Sequence, residues 1–442
     1  GNIHITSGND GINTNEDGVS VTTVNGGNLT IRVTGETGEG DGIDSNGNLT
    51  SRKDALGNVT TYKYDSDGNV IETVDAEGIA VKNTYNSNGL ITSVNRMGID
   101  IDTFTYNKSG KITSKTDAEG NTTEYTYDNA GNLTSISDSI GSFVNMTTDS
   151  KGNVVSATTG SGTKADFVYD SNGNCVSRTV TYNVDGAPRT VTEYYTYDGY
   201  GNVIKTIDSE GNITSSEYNS IGKLAVETDG NGNQTKYTYD TMGNLTKITY
   251  PDGTSESFVY DKEGNNISAV DRNGKSVQMV YDKAGNLLSK TYADGSSKSY
   301  VYDANYNVIS ETDFNGAVTY YEYDRIGRNT AVIDALGNRT SYSYNLHSQI
   351  SSITDSKGYV TTYHYDNNGN RIKTVYPDGT TEATEYDARG LMTANIDQNG
   401  YRTCYAYDKL SRLISVTDAL GNVTSYDYDE LGNLVAVTDA EM

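Results

Sequence analysis

The sequence contains few of the residues on which common active sites and compact cores depend. Its 442 residues include no Trp, two Cys, three Pro, three His and five Phe. The cysteines, Cys175 and Cys404, lie far apart and are expected to be small buried side chains. None of His4, His347 and His364 is spaced with Cys or carboxylates as metal ligands are. Because the sequence singles out no nucleophile with an oriented base, we expect a protein that is not an enzyme and has no cofactor.

Positive charge and long apolar segments are also scarce. Lys and Arg number 33 against 59 Asp and Glu, and the formal net charge is −26. This acidic balance opposes binding to nucleic acid or to anionic membrane surfaces, because their phosphates would be repelled. No run approaches the ~18 apolar residues of a membrane span, so we expect no membrane insertion. The chain opens at Gly1 without Met or a signal segment, which indicates a processed or excerpted piece.

A short motif recurs along almost the whole chain. One copy reads Tyr127-Asp128-Asn129-Ala130-Gly131-Asn132-Leu133, and the copies begin at 64, 85, 106, 127, 148, 169, 197, 218, 239, 260, 281, 302, 323, 344, 365, 386, 407 and 428. Every step is 21 residues except the step of 28 residues from 169 to 197. The first position, called the anchor below, is Tyr in every copy except at Thr148, and the second position is always Asp or Asn. The fifth position is Gly except at Tyr306, Ser348 and Ser411. Repetition this strict determines the architecture.

Each copy has the pattern of a β-hairpin. The residues before the turn are rich in Thr and Tyr, which suit a pleated, half-buried surface, and Tyr125 and Tyr127 lie on one face of that strand. The Asp and Gly that follow are typical of a turn. Apolar residues of the second strand, such as Leu133 and Ile136, do not alternate strictly, and either a β-bulge or burial on both faces would explain this. Helix is excluded, because Gly recurs about every ten residues and there is no 3.6-residue apolar stripe.

We therefore predict an all-β fold of tandem 21-residue β-hairpin repeats, which form a long, twisted or curling antiparallel sheet that is shell- or rod-like. About 36 strands at ~4.8 Å spacing would extend ~170 Å. A flat layer of that length would leave both faces wet, so the sheet is expected to close on itself or to pair with another copy. Rows of Tyr are expected to supply much of the buried area, although exposed rows could stack on sugar rings. The irregular unit at 169–196 holds seven extra residues, which indicates a longer hairpin or an extra turn.

Residues 1–42 differ from the array that follows at 43–442. They alternate short β runs with corners rich in Gly, Asn and Asp, as at Gly40-Asp41-Gly42-Ile43-Asp44, and they contain no Tyr. This segment resembles the polysaccharide-binding parallel β-helix modules of secreted bacterial proteins. Asp41 and Asp44 at this corner are the candidate calcium ligands. Asp-rich loops within the repeats, such as Asp65-Ser66-Asp67-Gly68-Asn69, are interpreted as turns, because no bidentate Glu recurs in register.

From residue 43 to residue 442 the sequence resembles the YD-repeat, or Rhs-repeat, family. The resemblance depends on the Tyr-Asp-x-x-Gly-Asn-Leu copies and on the linking motif between them, as in Asp117-Ala118-Glu119-Gly120. It implies a long antiparallel β strip, which in many members curls into a hollow shell around a C-terminal toxin. Other members are cell-surface or adhesion proteins. The sequence ends in mid-repeat at Met442 without a Pro-rich junction or an aspartate-based self-cleavage module, which departs from the toxin-bearing pattern.

Two functional hypotheses follow from the repeats and the resemblance. The first is an extracellular or cell-surface bacterial protein with a structural or adhesive role as a scaffold, stalk or fibre, which binds polysaccharide or a cell surface. The alternative is the wall of an Rhs-type shell that encapsulates a C-terminal toxin domain beyond this fragment. In either case unpaired sheet edges could mediate self-association.

Overall fold

The computed structural model of the chain consists of β-strands and the turns between them. It describes residues 3–7, 29–33, 40–43, 47–138, 141–160, 162–184, 187–408, 410–429 and 433–440. No helix occurs within these ranges, which confirms the predicted all-β class. The described part of the chain accordingly contains no helix of a length and apolarity that would cross a membrane.

Forty strands lie within the described residues. The first twenty are β1 (Ile3–Ser7), β2 (Leu29–Val33), β3 (Gly40–Ile43), β4 (Leu49–Lys53), β5 (Val59–Tyr64), β6 (Val70–Val74), β7 (Ala80–Tyr85), β8 (Ile91–Arg96), β9 (Ile99–Tyr106), β10 (Ile112–Asp117), β11 (Thr122–Tyr127), β12 (Leu133–Asp138), β13 (Gly141–Thr148), β14 (Val154–Thr159), β15 (Lys164–Tyr169), β16 (Cys175–Val184), β17 (Ala187–Tyr197), β18 (Val203–Ile207), β19 (Ile213–Tyr218) and β20 (Leu224–Thr228). The others are β21 (Gln234–Tyr239), β22 (Leu245–Thr249), β23 (Ser255–Tyr260), β24 (Asn266–Val270), β25 (Ser276–Tyr281), β26 (Leu287–Tyr292), β27 (Ser297–Tyr302), β28 (Val308–Thr312), β29 (Val318–Tyr323), β30 (Asn329–Ile333), β31 (Arg339–Tyr344), β32 (Ile350–Thr354), β33 (Val360–Tyr365), β34 (Arg371–Val375), β35 (Thr381–Tyr386), β36 (Met392–Ile396), β37 (Arg402–Tyr407), β38 (Leu413–Thr417), β39 (Val423–Tyr428) and β40 (Leu434–Thr438).

The strands belong to two compact units. The first unit takes in Gly1–Thr122, Val301–Glu311 and Val318–Tyr401, and the second takes in Thr123–Tyr300, Thr312–Ala317 and Arg402–Met442. In the first unit, β3 to β10 pair antiparallel with their sequence neighbours, and so do β29 to β36. In the second unit the same antiparallel pairing runs from β11 to β27 and from β37 to β40. The repeats are therefore hairpins, as predicted.

The N-terminal strands pair in a different way from the repeats. Strand β1 is parallel to β2, with Ile3 opposite Leu29 and Ser7 opposite Val33. Most of the other residues of the predicted segment 1–42 lie outside the described residues. The boundary at residues 42 and 43 and the resemblance to polysaccharide-binding modules therefore stay predictions.

A β-bulge next to the anchor explains the irregular apolar pattern of the second strand. In β11 and β12, Thr126 is opposite Ser135, whereas the next residue, Tyr127, is opposite Leu133. The extra residue between them reverses the alternation, so Leu133 and Ile136 both lie on the face that carries the two tyrosines of β11. The same shift occurs at other anchors, for example where β21 pairs with β22. Of the two explanations that the sequence left open, the structure shows the bulge.

The strands bury little side-chain surface completely. Among the described residues, the buried apolar side chains are Ile79, Val180, Ala331 and Ala394. The anchors and the residues two positions before them, such as Tyr237 and Tyr239, are instead half-buried on one face. Tyrosine therefore supplies much of the shielded area, as predicted from the low apolar content.

The 28-residue unit is a longer hairpin. Strands β16 and β17 have ten and eleven residues, and they pair without a break from Ser177 opposite Tyr194 to Val184 opposite Ala187. The seven extra residues therefore lengthen both strands and do not add a separate turn.

Candidate functional site

Each Tyr-Asp turn is held by the carboxylate of its Asp. In the copy at 239, Oδ1 of Asp240 accepts hydrogen bonds from the backbone N–H groups of Met242 and Asn244, at 2.9 Å each. Its Oδ2 accepts from Nδ2 of Asn244 at 3.0 Å. The Asn244 side chain and the backbone donors hold the pKa of Asp240 below its ordinary value. Gly243 completes the turn at a φ of +86°, where an L residue would be strained.

The same hydrogen bonds occur in the Asp-rich loops that resemble calcium sites. The carboxylates of Asp65 and Asp229 also accept two backbone N–H groups and one Asn amide. Asp366 accepts both the backbone N–H and the side-chain amide of Asn370. These oxygens are engaged within their own turns, which agrees with the interpretation of the loops as turns.

The anchor tyrosines connect successive hairpins. The hydroxyl of Tyr239 donates to the carbonyl oxygen of Leu224, 15 residues earlier, at 2.9 Å. The copies at Tyr64, Tyr85, Tyr106, Tyr169, Tyr218, Tyr323, Tyr344, Tyr365 and Tyr386 repeat this bond over the same 15-residue separation. At Tyr197 the bond passes over the long hairpin to the carbonyl of Cys175, a separation of 22 residues, so the equivalent strand position is kept. Burial raises the pKa of Tyr239, as expected for a half-buried phenol.

Within the first unit, linking turns early in the array contact Tyr-Asp turns about 250 residues later. We call this set of contacts the seam. Oδ2 of Asp54 accepts a hydrogen bond from Nδ2 of Asn305 at 2.8 Å, across 251 residues. Oδ2 of Asp117 accepts from Nδ2 of Asn368 at the same distance and the same separation. The Tyr-Asp turns lie on one edge of the hairpin array and the linking turns on the other, so the seam joins opposite edges.

A second hydrogen bond recurs in the seam. Oε1 of Glu77 accepts from the backbone N–H of Arg325 at 3.1 Å, and Oε1 of Glu119 accepts from the backbone N–H of Asn367 at 2.8 Å. Both pairs are 248 residues apart. Nη1 of Arg325 also donates to the carbonyl of Ala76 at 3.4 Å. The constant separation shows that the two edges meet in one register within this unit.

A cavity of about 410 Å³ interrupts the seam at an intermediate position. Arg96 and His347 line it, together with Gln349, Asp102 and Asp117. The sequence singled out His347 only as a residue in an irregular turn without metal-ligand spacing. Its position opposite Arg96 could not be inferred, because the two residues are distant in the chain.

The second unit contains a larger and more apolar cleft, of about 1070 Å³. Phe258, Tyr292 and Phe314 line it, and the rings of Tyr292 and Phe314 meet edge to face with centroids 5.2 Å apart. The carboxylates of Asp271 and Asp294 lie on the same cleft. The sequence did not indicate this cleft, because its aromatic residues come from separate hairpins.

The predicted calcium corner stays a prediction. Asp41 lies in β3, and Asp44 lies outside the described residues. Within the described ranges, no group of three or more His, Cys, Asp or Glu residues is placed to hold a metal ion. Cys175 and Cys404 are both free, and each is half-buried, not fully buried as expected from the sequence.

Two family profiles match the sequence. The RHS Repeat profile matches residues 218–255, 260–297, 281–318, 323–358, 346–381 and 407–441. The Teneurin YD-shell profile matches residues 41–181. No curated protein matches the sequence.

Several solved structures have a similar fold. The crystal structures titled TcdB2-TccC3-TEV and TcdB2-TccC3-Cdc42 match with TM-scores of 0.56 and 0.55, each at 14% identity. In both, the match covers 90% of this chain and 28% of the other chain. The Photorhabdus luminescens Tc holotoxin pore, with a substitution in TccC3, matches at a TM-score of 0.55 and 14% identity, over 90% of this chain and 27% of that chain. At this identity the likeness shows the fold, and the chain spans little more than a quarter of the chains that it matches.

Proposed function

Because this chain belongs to the YD- or Rhs-repeat family, we propose that it forms part of the wall of a shell that encloses a polypeptide cargo. The role is structural and not catalytic. In this proposal the cargo is a C-terminal toxin segment of the longer natural chain, and the protein acts outside the cell that makes it. The fold likeness to TccC3-containing Tc structures supports this choice over a stalk or fibre. The predicted adhesive role, cell-surface binding and self-association through sheet edges stay predictions.

The seam of the first unit is the observation that carries this proposal. The two long edges of the hairpin array consist of turns at the ends of the strands, and they differ from the outermost strands, whose unpaired backbone groups other chains can join. Here the turns of one edge bond to turns of the other edge at Asp54, Glu77, Asp117 and Glu119, over separations of 248 to 251 residues. A fibre or stalk does not need such contacts between distant repeats. A wall that retains a cargo does, because any gap between its edges would let the cargo or a protease pass.

The seam is held by several weak bonds, and no single bond dominates it. Each bond joins a carboxylate to an amide or a backbone N–H at a partly exposed position, where a contribution of about 0.5–1.5 kcal/mol is typical. Four such bonds in one register would together hold the edges closed under native conditions. Removal of two of them is therefore expected to loosen the seam while each hairpin remains folded, since the hairpins depend on their own ladders and turns.

The first test measures the dimensions of this chain in solution. A compact globule of 442 residues would have a radius of gyration near ~22 Å. Small-angle scattering should give a larger value, with a distance distribution typical of a hollow particle, and negative-stain images should show stain inside the particle. A radius near that of the compact globule, or straight rods in the images, would contradict the proposal.

The second test asks whether the seam retains a cargo. In the longer natural chain that contains this sequence, we expect the downstream segment to resist added protease, and the double variant Glu77→Ala/Glu119→Ala to make it sensitive. Glu210→Ala is the matched control, because Glu210 occupies the same position of a linking turn in the second unit and is exposed. Equal sensitivity of the double variant and the unaltered chain would count against the seam as a barrier.

Carbohydrate binding is a second candidate function, and the aromatic cleft of the second unit favours it. Aromatic faces pack against the C–H faces of sugars, and carboxylates such as Asp271 and Asp294 accept hydrogen bonds from sugar hydroxyls. Phe314→Ala should abolish retention on immobilised polysaccharide. Tyr200→Ala should not, because this side chain is 94% exposed on a turn away from the cleft. Unaltered retention of the Phe314 variant would exclude this cleft as the sugar site.

A further inference from the structure

One position of the seam brings together two side chains that both carry hydrogen-bond donors. At two positions an Asp of a linking turn accepts a hydrogen bond from an Asn of a Tyr-Asp turn: Asp54 from Asn305, and Asp117 from Asn368. One repeat before Asp117, the place of the Asp is taken by Arg96. One repeat before Asn368, the place of the Asn is taken by His347. An acceptor and its donor are therefore replaced by two groups that both donate when the imidazole is protonated.

Arg96 and His347 both line the cavity of about 410 Å³. Nε of Arg96 is shielded from solvent and has no hydrogen-bond partner within the described residues. The structure gives neither the Arg96 guanidinium nor the His347 imidazole an ion pair or hydrogen bond with any described residue. A buried donor without a partner is destabilising, and more so when it is charged. Because Nε is shielded, a ligand in the cavity would reach the Arg96 guanidinium through its Nη groups, which have no partner among the described residues.

The carboxylates on the cavity do not fill this role. Oδ1 of Asp102 is paired with Nζ of Lys115 at 2.9 Å. Asp117 accepts hydrogen bonds from Asn121 and Asn368, and although its burial opposes the charged form, these bonds keep its pKa below the ordinary value. Nε2 of Gln349 already donates to the carbonyl of Gly369 at 2.7 Å. Among the described residues, the polar side chains of the cavity without a partner are thus Arg96, His347 and the amide of Asn367, and of these Arg96 carries the positive charge.

We propose that this cavity binds a small oxyanion, either a carboxylate or a phosphate, through Arg96 and His347. A guanidinium presents N–H donors in a planar fork that matches two oxygens of such a group. The cavity volume accommodates a small anion with some of its water. The bound anion would take the place of the missing Asp–Asn bond and would connect the two turns of the seam at this position. This site is independent of whether the wall encloses a cargo.

The test is calorimetric titration of the folded chain with inorganic phosphate and, separately, with succinate, at constant ionic strength set with chloride. We expect one site per chain for at least one of the two anions. Preference for succinate would identify a carboxylate ligand, and preference for phosphate a phosphoryl ligand. Arg96→Gln should weaken binding at least tenfold, and His347→Asn should weaken it by a smaller factor. Arg52→Gln is the matched control, because Arg52 is an exposed arginine of the same unit that does not line the cavity.

Circular dichroism should show that the variants keep the β-sheet signal. If Arg96→Gln fails to fold, Arg96→Lys takes its place: the charge is kept and the planar fork is lost, so weaker binding is still expected. Absence of binding to both anions, or equal affinity in the Arg96 variant and the Arg52 control, would overturn the proposal. The affinity is measured on this chain alone, so a negative result would not bear on the proposed enclosure of a cargo.

Discussion

The fifth position of the Tyr-Asp turn offers a test of how much backbone strain the repeat contains. The turn needs a positive φ there, and Gly adopts it at Gly264, with a φ of +88° and no atom within 4 Å of an added Cβ. Tyr306 occupies the same position with a φ of 65°, and its side chain is 61% exposed. We therefore predict that Tyr306→Gly stabilises its turn and that the reciprocal change, Gly264→Tyr, destabilises the equivalent turn.

The magnitudes follow from the cost of the left-handed conformation. An L residue in this region costs about 1–2 kcal/mol, and the greater freedom of Gly in the unfolded chain recovers part of that difference. Tyr306→Gly should thus gain about 0.5–1 kcal/mol, and Gly264→Tyr should lose about the same amount. A cooperative unfolding of 442 residues would have an entropy near ~0.9 kcal/mol/K, so 1 kcal/mol would move the melting temperature by only about 1 °C. Global melting is therefore too insensitive, and local hydrogen exchange is the appropriate assay.

The amides to follow are those that the turn itself protects. The N–H of Asn307 donates to Oδ1 of Asp303 at 2.9 Å, and the N–H of Asn265 makes the equivalent bond to Asp261. After correction for intrinsic rates, exchange at Asn307 should slow about 2- to 5-fold in Tyr306→Gly. Exchange at Asn265 should accelerate about 2- to 5-fold in Gly264→Tyr. Faster exchange at Asn307 in the Gly variant would refute the argument, because it would mean that contacts of the Tyr306 side chain outweigh the backbone strain.

Four further predictions concern the tyrosine hydroxyls, the turn carboxylates, the ionisation of the anchors and the calcium corner. Tyr239→Phe should destabilise its hairpin by about 1 kcal/mol, because the carbonyl of Leu224 loses its donor. Tyr281→Phe should cost little, because among the described residues that hydroxyl contacts the sulfur of Met279 at 3.7 Å and no carbonyl. Local hydrogen exchange would compare the two variants, and equal costs would contradict the role of the hydroxyl. The pKa of turn aspartates such as Asp240 is lower in the folded state than in the unfolded state. Their contribution to stability is therefore complete above the unfolded-state pKa of about 3.9 and is lost as the pH falls through the folded-state pKa. Denaturation measured at a series of pH values should show stability falling below about pH 4. The pKa of anchors such as Tyr239 is raised in the folded state, so their contribution to stability is complete below the unfolded-state pKa of about 10 and is lost as the pH rises through the folded-state pKa. A second loss of stability is therefore expected above about pH 10. Constant stability across the acidic or the alkaline range would contradict the corresponding pKa shift. If Asp41 and Asp44 bind calcium, a chelator should reduce protease resistance near residue 44, and Asp44→Asn should abolish the effect of the chelator. If the chelator has no effect on the unaltered chain, the site is excluded.

The sequence was sufficient to predict the hairpin and its turns, because these depend on neighbouring residues. The 21-residue spacing, the Thr- and Tyr-rich strand and the Asp and Gly of the turn all favour the same local structure. The bulge at Tyr127 could be anticipated only as one of two explanations. A register shift depends on which residues of the two strands are opposite each other, and the apolar pattern of Leu133 and Ile136 alone does not fix that.

The seam and the two cavities could not be predicted, because they depend on the accumulated geometry of many repeats. A small change in twist per hairpin would move the contact from one linking turn to the next over about 250 residues. The linking turns of Asp54 and Asp117 have the same sequence pattern as the linking turn of Asp208, which makes no distant contact with any described residue. Arg96 and His347 are distant in the chain, and only the structure shows that they line one cavity.

One regularity of the sequence is explained only by the hydrogen bonds that the structure shows. In most copies with Asp at the second position, the sixth position is Asn, whose amide donates to Oδ2 of that Asp. In two copies the sixth residue is Arg: Arg328 donates to Oδ2 of Asp324 and Arg412 to Oδ2 of Asp408, each at 2.6 Å. Four copies have Asn at the second position, and none of them has Asn at the sixth: the pairs are Asn86 with Leu90, Asn107 with Lys111, Asn219 with Lys223 and Asn345 with Gln349. An Asn amide in place of Oδ2 would present a donor to a donor, and at Asn345 the geometry is reversed, because Nδ2 donates to Oε1 of Gln349 at 3.0 Å. The two positions of the turn therefore vary together because one hydrogen bond needs one donor and one acceptor. The same requirement is met across the seam by Asp117 and Asn368, and it is not met one repeat earlier by Arg96 and His347.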